Sequence, residues 1–167
     1  MTWRVKHPKI NKLRAINDPD SSIGRKRQNL YKGASTQAKA AVEQGFYIEA
    51  IAISESIITD RLEARRAYLA GNEDSKRGFR TIGPLLDALA KDDPIDDRKL
   101  ISAYEQIQEW EPKRNSAIHE LVKLREDRTD DLWAARYESL KSAAEEGLQI
   151  AKAISAAVKR QNKYPKT

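Results

Sequence analysis

From Trp133 to Val158, apolar or small side chains return at alternating spacings of four and three, at Trp133, Tyr137, Leu140, Ala144, Gly147, Ala151, Ile154 and Val158. A seam of this kind belongs to a helix and cannot serve a strand, whose faces alternate at every second residue. It predicts one long helix from about Asp130 to Gln161, spanning roughly 45 Å at about 1.5 Å per residue. That is longer than a small bundle needs, so its end has the reach to meet a second subunit. Ala144, Gly147 and Ala151 leave room for another helix to come close.

The preceding segments read as helices of ordinary length. Ser35 is a plausible N-cap for a short helix to about Gln44, Gly45 breaks it, and a longer helix follows from Phe46 to about Leu69, stopped by Gly71-Asn72. In that second helix Tyr47, Ile51, Ile58 and Leu62 form the apolar stripe, and Glu63, Arg65 and Arg66 are expected towards its solvent end. Ser54 and Arg61 share a side with Ile58, with Glu55 beside them; an ordinary ion-paired surface accounts for them as well as a polar cleft does. Residues 72–80 read as a basic loop. Pro84 then introduces a helix carrying Leu85, Leu86 and Leu89 as far as Asp92-Asp93-Pro94. Another begins near Asp97, with Leu100, Ile101, Tyr104 and Ile107 facing the core up to Trp110, after which Pro112 kinks it or starts a new helix.

The expected fold is therefore all-α, a helical bundle of about five helices with a long C-terminal helix. At 167 residues the chain can bury one sizeable core and is too short for two ordinary linked domains. Two regions are expected: a basic irregular arm over 1–33, interrupted by Pro8, Pro19, Gly24 and Gly33, and the bundle over 34–167. Residues 1–33 carry nine Lys and Arg against Asp18 and Asp20, a net +7 out of +6 for the whole chain, which leaves the rest at −1. Such an arm suits a polyanionic partner through counterion release, or serves only to solubilise. The absence of cysteine excludes disulfides, a thiol nucleophile and the common structural zinc sites. With neither a signal-peptide pattern nor a membrane-length apolar run, the expectation is a soluble cytoplasmic protein without a membrane partner.

The segment Arg114-Asn115-Ser116-Ala117-Ile118-His119 concentrates groups able to do chemistry. If Pro112 occupies a first helical turn, Arg114 and Asn115 lie near a helix N-terminus, where unpaired N–H groups favour an anion such as phosphate. Asn115 and His119 fall about 40° apart on one flank, whereas Arg114 falls within the arc of Ile118, Leu121 and Val122. A cation on the core side is explained if the arc faces a cleft, with Arg114 on a phosphate, His119 moving a proton and Asn115 orienting either. It is also explained if Arg114 snorkels to solvent and His119 packs on the flank. Histidine is suited to proton transfer by an ordinary pKa of about 6.5, and arginine to holding charge throughout.

Arg-Asn-x-x-x-His at 114–119 resembles the motif of HEPN domains, helical bundles found in toxin–antitoxin systems, abortive-infection proteins and RNA-targeting CRISPR effectors. With fifteen Arg, six Asn and two His in the chain, such a match arises by chance with a probability of roughly 0.6%. The resemblance is specific over those six residues. It implies a hydrolase of defence or toxin–antitoxin type: a metal-independent endoribonuclease, without cofactor, in which a ribose 2′-hydroxyl attacks the adjacent phosphate. The implied catalytic residues are Arg114, Asn115 and His119, with Glu55 carried over as the acidic residue of the earlier long helix and Asp60 as its alternative. The implied partners are RNA, a second copy of the chain in a homodimer that brings two histidines together, and an antitoxin protein. Two other readings stand beside it: a catalytically silent HEPN-like module that binds RNA or protein, and a helical-bundle interaction protein in which the motif is accidental.

Overall fold

The computed structural model describes residues 22–70, 81–124, 126 and 132–162. They form five α-helices, α1 (Ser22–Glu43), α2 (Tyr47–Leu69), α3 (Ile82–Asp92), α4 (Arg98–His119) and α5 (Trp133–Gln161), with no strand among the described residues. The all-α bundle expected from periodicity is what the chain forms. Residues 1–21 of the basic arm, the Gly71-Asn72 stop and the 72–80 loop lie outside the described residues.

The first helix begins well before Ser35, so residues 22–33 are helical rather than irregular. Gly33 reads as a breaker, but it lies inside α1 with open space where a Cβ would be. A helical glycine costs roughly 1 kcal/mol, and the tertiary contacts of Tyr31, Ala34, Ala38 and Ala41 outweigh it. The α1–α2 corner does require a glycine. Gly45 has φ +80°, and its carbonyl accepts a 3.1 Å hydrogen bond from the Tyr137 hydroxyl, which a Cβ at this position would crowd. Asp97 caps α4 by accepting from the Leu100 N–H at 2.9 Å.

α5 is the central element, packed most extensively on α2 and α4, with α1 resting on α2 and α5 and α3 on α2 and α4. Its seam from Leu140 to Val158 is buried against Ile51, Ile58, Leu62, Ile107 and Trp110 of the same chain. The seam from Leu140 onward is thus used inside the bundle, and its first members, Trp133 at 60% and Tyr137 at 37% exposure, stay uncovered. At Gly147 the helix lies so close to α4 that a Cβ would stand 2.6 Å from Trp110, whose indole N–H donates to the Ala143 carbonyl at 2.8 Å.

Two expectations about side chains are reversed. Ile101 is exposed, because the core face of α4 runs through Leu100, Ala103, Ile107 and Trp110. Glu63 and Arg65 are buried rather than at a solvent end. Arg65 donates to both carboxylate oxygens of buried Asp93 at 2.6 and 2.9 Å and to Asn162 at 3.2 Å, and the Tyr104 hydroxyl donates to Asp93 at 3.0 Å. A charge-assisted network of this kind offsets the desolvation that had argued for solvent. No helix among the described residues is long and apolar enough to cross a membrane.

Candidate active site

α4 runs unbroken through Pro112 and ends at His119, so the motif occupies the last two turns of a helix and not the first. The expectation of an anion-binding helix N-terminus at Arg114 is overturned. Proline removes one backbone bond, to the carbonyl four residues earlier. Pro112 is exposed, so water can satisfy that carbonyl, and the buried stripe continues in phase through Trp110, Arg114 and Ala117. Burial of that stripe carries the helix past the proline.

The phase puts Arg114 on the core side, with its side chain 10% exposed. Its Nη2 donates to Glu55 Oε1 at 2.6 Å, and its guanidinium carbon lies 6.0 Å from the centre of the Trp110 ring. Arg114 Nε is buried without a hydrogen-bond partner among the described residues, as is the hydroxyl of Ser54, the neighbour of Glu55. Two residues 59 positions apart, each singled out from sequence, therefore meet. Asp60, the alternative acid, belongs elsewhere. It accepts from Arg27, Arg61 and the Tyr31 hydroxyl in a cluster that ties α1 to α2. Burial opposes ionisation of Asp60, but Arg27, Arg61 and the Tyr31 hydrogen bond outweigh it and hold the carboxyl at about 2.

Asn115 is half-buried and His119 exposed, and neither makes a side-chain hydrogen bond to another described residue. At about 100° per residue, His119 stands about 140° around α4 from Arg114. The structure brings Arg114 to Glu55, keeps Asn115 and His119 on one outer flank, and does not close the four into a single cleft within one chain. Val122 and Leu124, just past His119, are 83% and 82% exposed, since the helix ends before Val122 can join the core arc.

Between the end of α4 and the start of α5 lies a groove of about 560 Å³ lined by Lys113, Ser116, Glu120, Lys123, Arg136 and Ser139, among others. Arg136 Nη1 donates to the carbonyls of Glu120, Leu121 and Lys123 at 2.8, 3.1 and 2.8 Å. The Ser116 hydroxyl donates to Glu120 at 2.9 Å, and Lys113 pairs with Glu146 at 2.9 Å. Sequence reasoning missed these residues. Arg136 contacts carbonyls, which leave no trace in residue type. Among the described residues no three His, Asp or Glu side chains are grouped as metal ligands would be. No protein-family model, curated protein or solved structure matches this chain.

Proposed function

We propose that this chain is a metal-independent endoribonuclease of the HEPN kind, acting as a homodimer on single-stranded or looped RNA, with a defence or toxin role. The observation that carries the reading is the 2.6 Å contact between Arg114 and Glu55. It fixes the arginine of the motif through an acid of the long earlier helix. His119 stands at the helix end, open to solvent and able to meet a substrate.

In this reading the ribose 2′-oxygen attacks phosphorus as a base removes its proton, and the bond to the 5′-oxygen breaks as an acid supplies one. A 2′,3′-cyclic phosphate and a 5′-hydroxyl result. One His119 cannot be both base and acid in one step, so a second copy supplies the other. Arg114, charged throughout, stabilises the phosphorane-like anion if substrate draws part of its guanidinium from Glu55. Exposed Leu132, Trp133, Val122 and Leu124 give this end of the bundle apolar surface for a second copy to cover.

A second reading, a catalytically silent module binding RNA or protein, is favoured by the separation of Arg114 from His119 around α4. One experiment divides the two: cleavage of labelled RNA in excess EDTA, with end-group identification, by wild type and His119→Ala. The ribonuclease reading expects cyclic-phosphate ends and a loss of about 10²–10⁴-fold without His119. Equal cleavage by the variant, or 3′-hydroxyl products that need Mg²⁺, would leave the binding module in front. Sedimentation should give a dimer; a monomer at high micromolar concentration with activity unchanged on dilution removes the two-histidine argument.

A further inference from the structure

His119 is the last residue of α4, the place where a helix ordinarily frays because its final carbonyls lack partners within the helix. The chain beyond it gains little from burial, since Val122 and Leu124 are exposed. What fastens this turn comes from another helix. Arg136, in the first turn of α5, places one guanidinium nitrogen on the carbonyls of Glu120, Leu121 and Lys123, the residues that follow His119. The Glu120 carbonyl also accepts the Lys123 N–H at 3.1 Å, and the Ser116 hydroxyl holds the Glu120 carboxylate, so the clamp closes on a turn already folded on itself. A cation suits this place, because the clamped carbonyls lie just beyond the carboxyl end of α4, the negative end of its dipole.

We infer that Arg136 is a positioning residue for His119: its side chain clamps the carbonyls of Glu120, Leu121 and Lys123 and so fixes the end of α4 from which the imidazole projects. The inference rests on the ribonuclease reading, and it assigns Arg136 no contact with the reacting phosphate. The imidazole makes no side-chain hydrogen bond to a described residue, so its place depends on the backbone that carries it. Displacement of a reacting group by about 1 Å can cost on the order of 10²-fold in rate.

The test uses the full chain and compares wild type, Arg136→Ala, Arg136→Lys and His119→Ala in EDTA-resistant cleavage of labelled RNA, with kcat and KM measured separately. Thermal melts and imidazole NMR accompany the kinetics. His7 and His119 are the two histidines of the chain, so the His119 ring signals are identified by their loss in His119→Ala. Arg136→Ala should lower kcat about 10- to 100-fold with KM little changed. It should shift the His119 signals while those of His7 stay in place, and Arg136→Lys, a cation of shorter reach, should fall between. Should Arg136→Ala fail to fold, Arg136→Lys carries the test: an intermediate kcat at unchanged KM supports the clamp, and an unaltered kcat overturns it. If His119→Ala is inactive while Arg136→Ala keeps the wild-type kcat and His119 signals, the inference about Arg136 alone falls. If His119→Ala cleaves as wild type does, or wild type does not cleave, the ribonuclease reading falls and this inference with it.

Discussion

Arg114 and His119 stand five positions apart in one motif, yet their surroundings differ enough that their substitution should separate stability from chemistry. His119→Ala removes an exposed ring and should leave stability within about 0.5 kcal/mol of wild type. Arg114→Ala removes the donor to Glu55 and leaves a gap beside Trp110, at a cost of roughly 2 kcal/mol. Thermal melts of the two variants check this, and an Arg114→Ala protein as stable as His119→Ala would mean that the ion pair contributes nothing in solution. Gly147 gives a second contrast. Alanine should gain up to about 1 kcal/mol in a helix interior, but its Cβ would stand 2.6 Å from Trp110. Overpacking of this kind costs about 1–3 kcal/mol, so Gly147→Ala is expected to lower the melting temperature by a few degrees. A rise would show that the indole can move aside.

At the level of elements, α2 is decided by what packs on it. Its apolar residues Ile51, Ile58 and Leu62 were legible as a helical stripe because spacing alone fixes which side chains share a face. The fate of Arg65 was not, since its partners Asp93 and Asn162 are 28 and 97 residues away. The pair joins α2 to the α3–α4 connection and to the C-cap of α5, and Tyr104 extends it to α4. Asp93→Asn would leave buried Arg65 without its counter-charge. The expected loss is about 3–5 kcal/mol, seen as a lower denaturant midpoint at an unchanged slope. A loss under about 1 kcal/mol would place the network in reach of water. The same dependence on distant partners explains α1, whose helix continues through Gly33 because α2 supplies what local propensity lacks.

Across the whole molecule, the ionisable clusters set a pH window for stability. Asp60 ionises at about 2 in the fold against 3.8 ordinarily, so its contribution is present above pH 4 and is lost as pH falls towards 2. With the carboxylate 41% exposed, solvent screening reduces that contribution to about 1 kcal/mol. Asp97, held at about 2 by hydrogen bonds from Arg160 and the Leu100 N–H, acts in the same direction. At the alkaline end, burial first, and the Asp60 and Asp93 carboxylates beside them, raise the ionisation of Tyr31 and Tyr104 above 10. The folded state therefore holds their protons more tightly, and stability falls as pH rises beyond 10. Denaturant midpoints measured from pH 2 to 11 should form a plateau with both shoulders. Asp60→Asn should shrink the acid shoulder, and an unchanged acid limb would remove Asp60 from the account.

The sequence by itself determined that the chain is helical and where most helices stop, because periodicity and caps are local properties, and it singled out the Arg114–His119 segment as the one on which the proposed chemistry rests. Tertiary structure decided how those pieces are used. Continued burial beyond Trp110 carried α4 through Pro112 and put the motif at the helix's carboxyl end. The Leu140–Val158 part of the α5 seam closed on α2 and α4 because those helices present a complementary core within the same chain. Arg114 met Glu55, and Arg136 met the carbonyls after His119, because each helix brings to one place groups that have no relation along the chain.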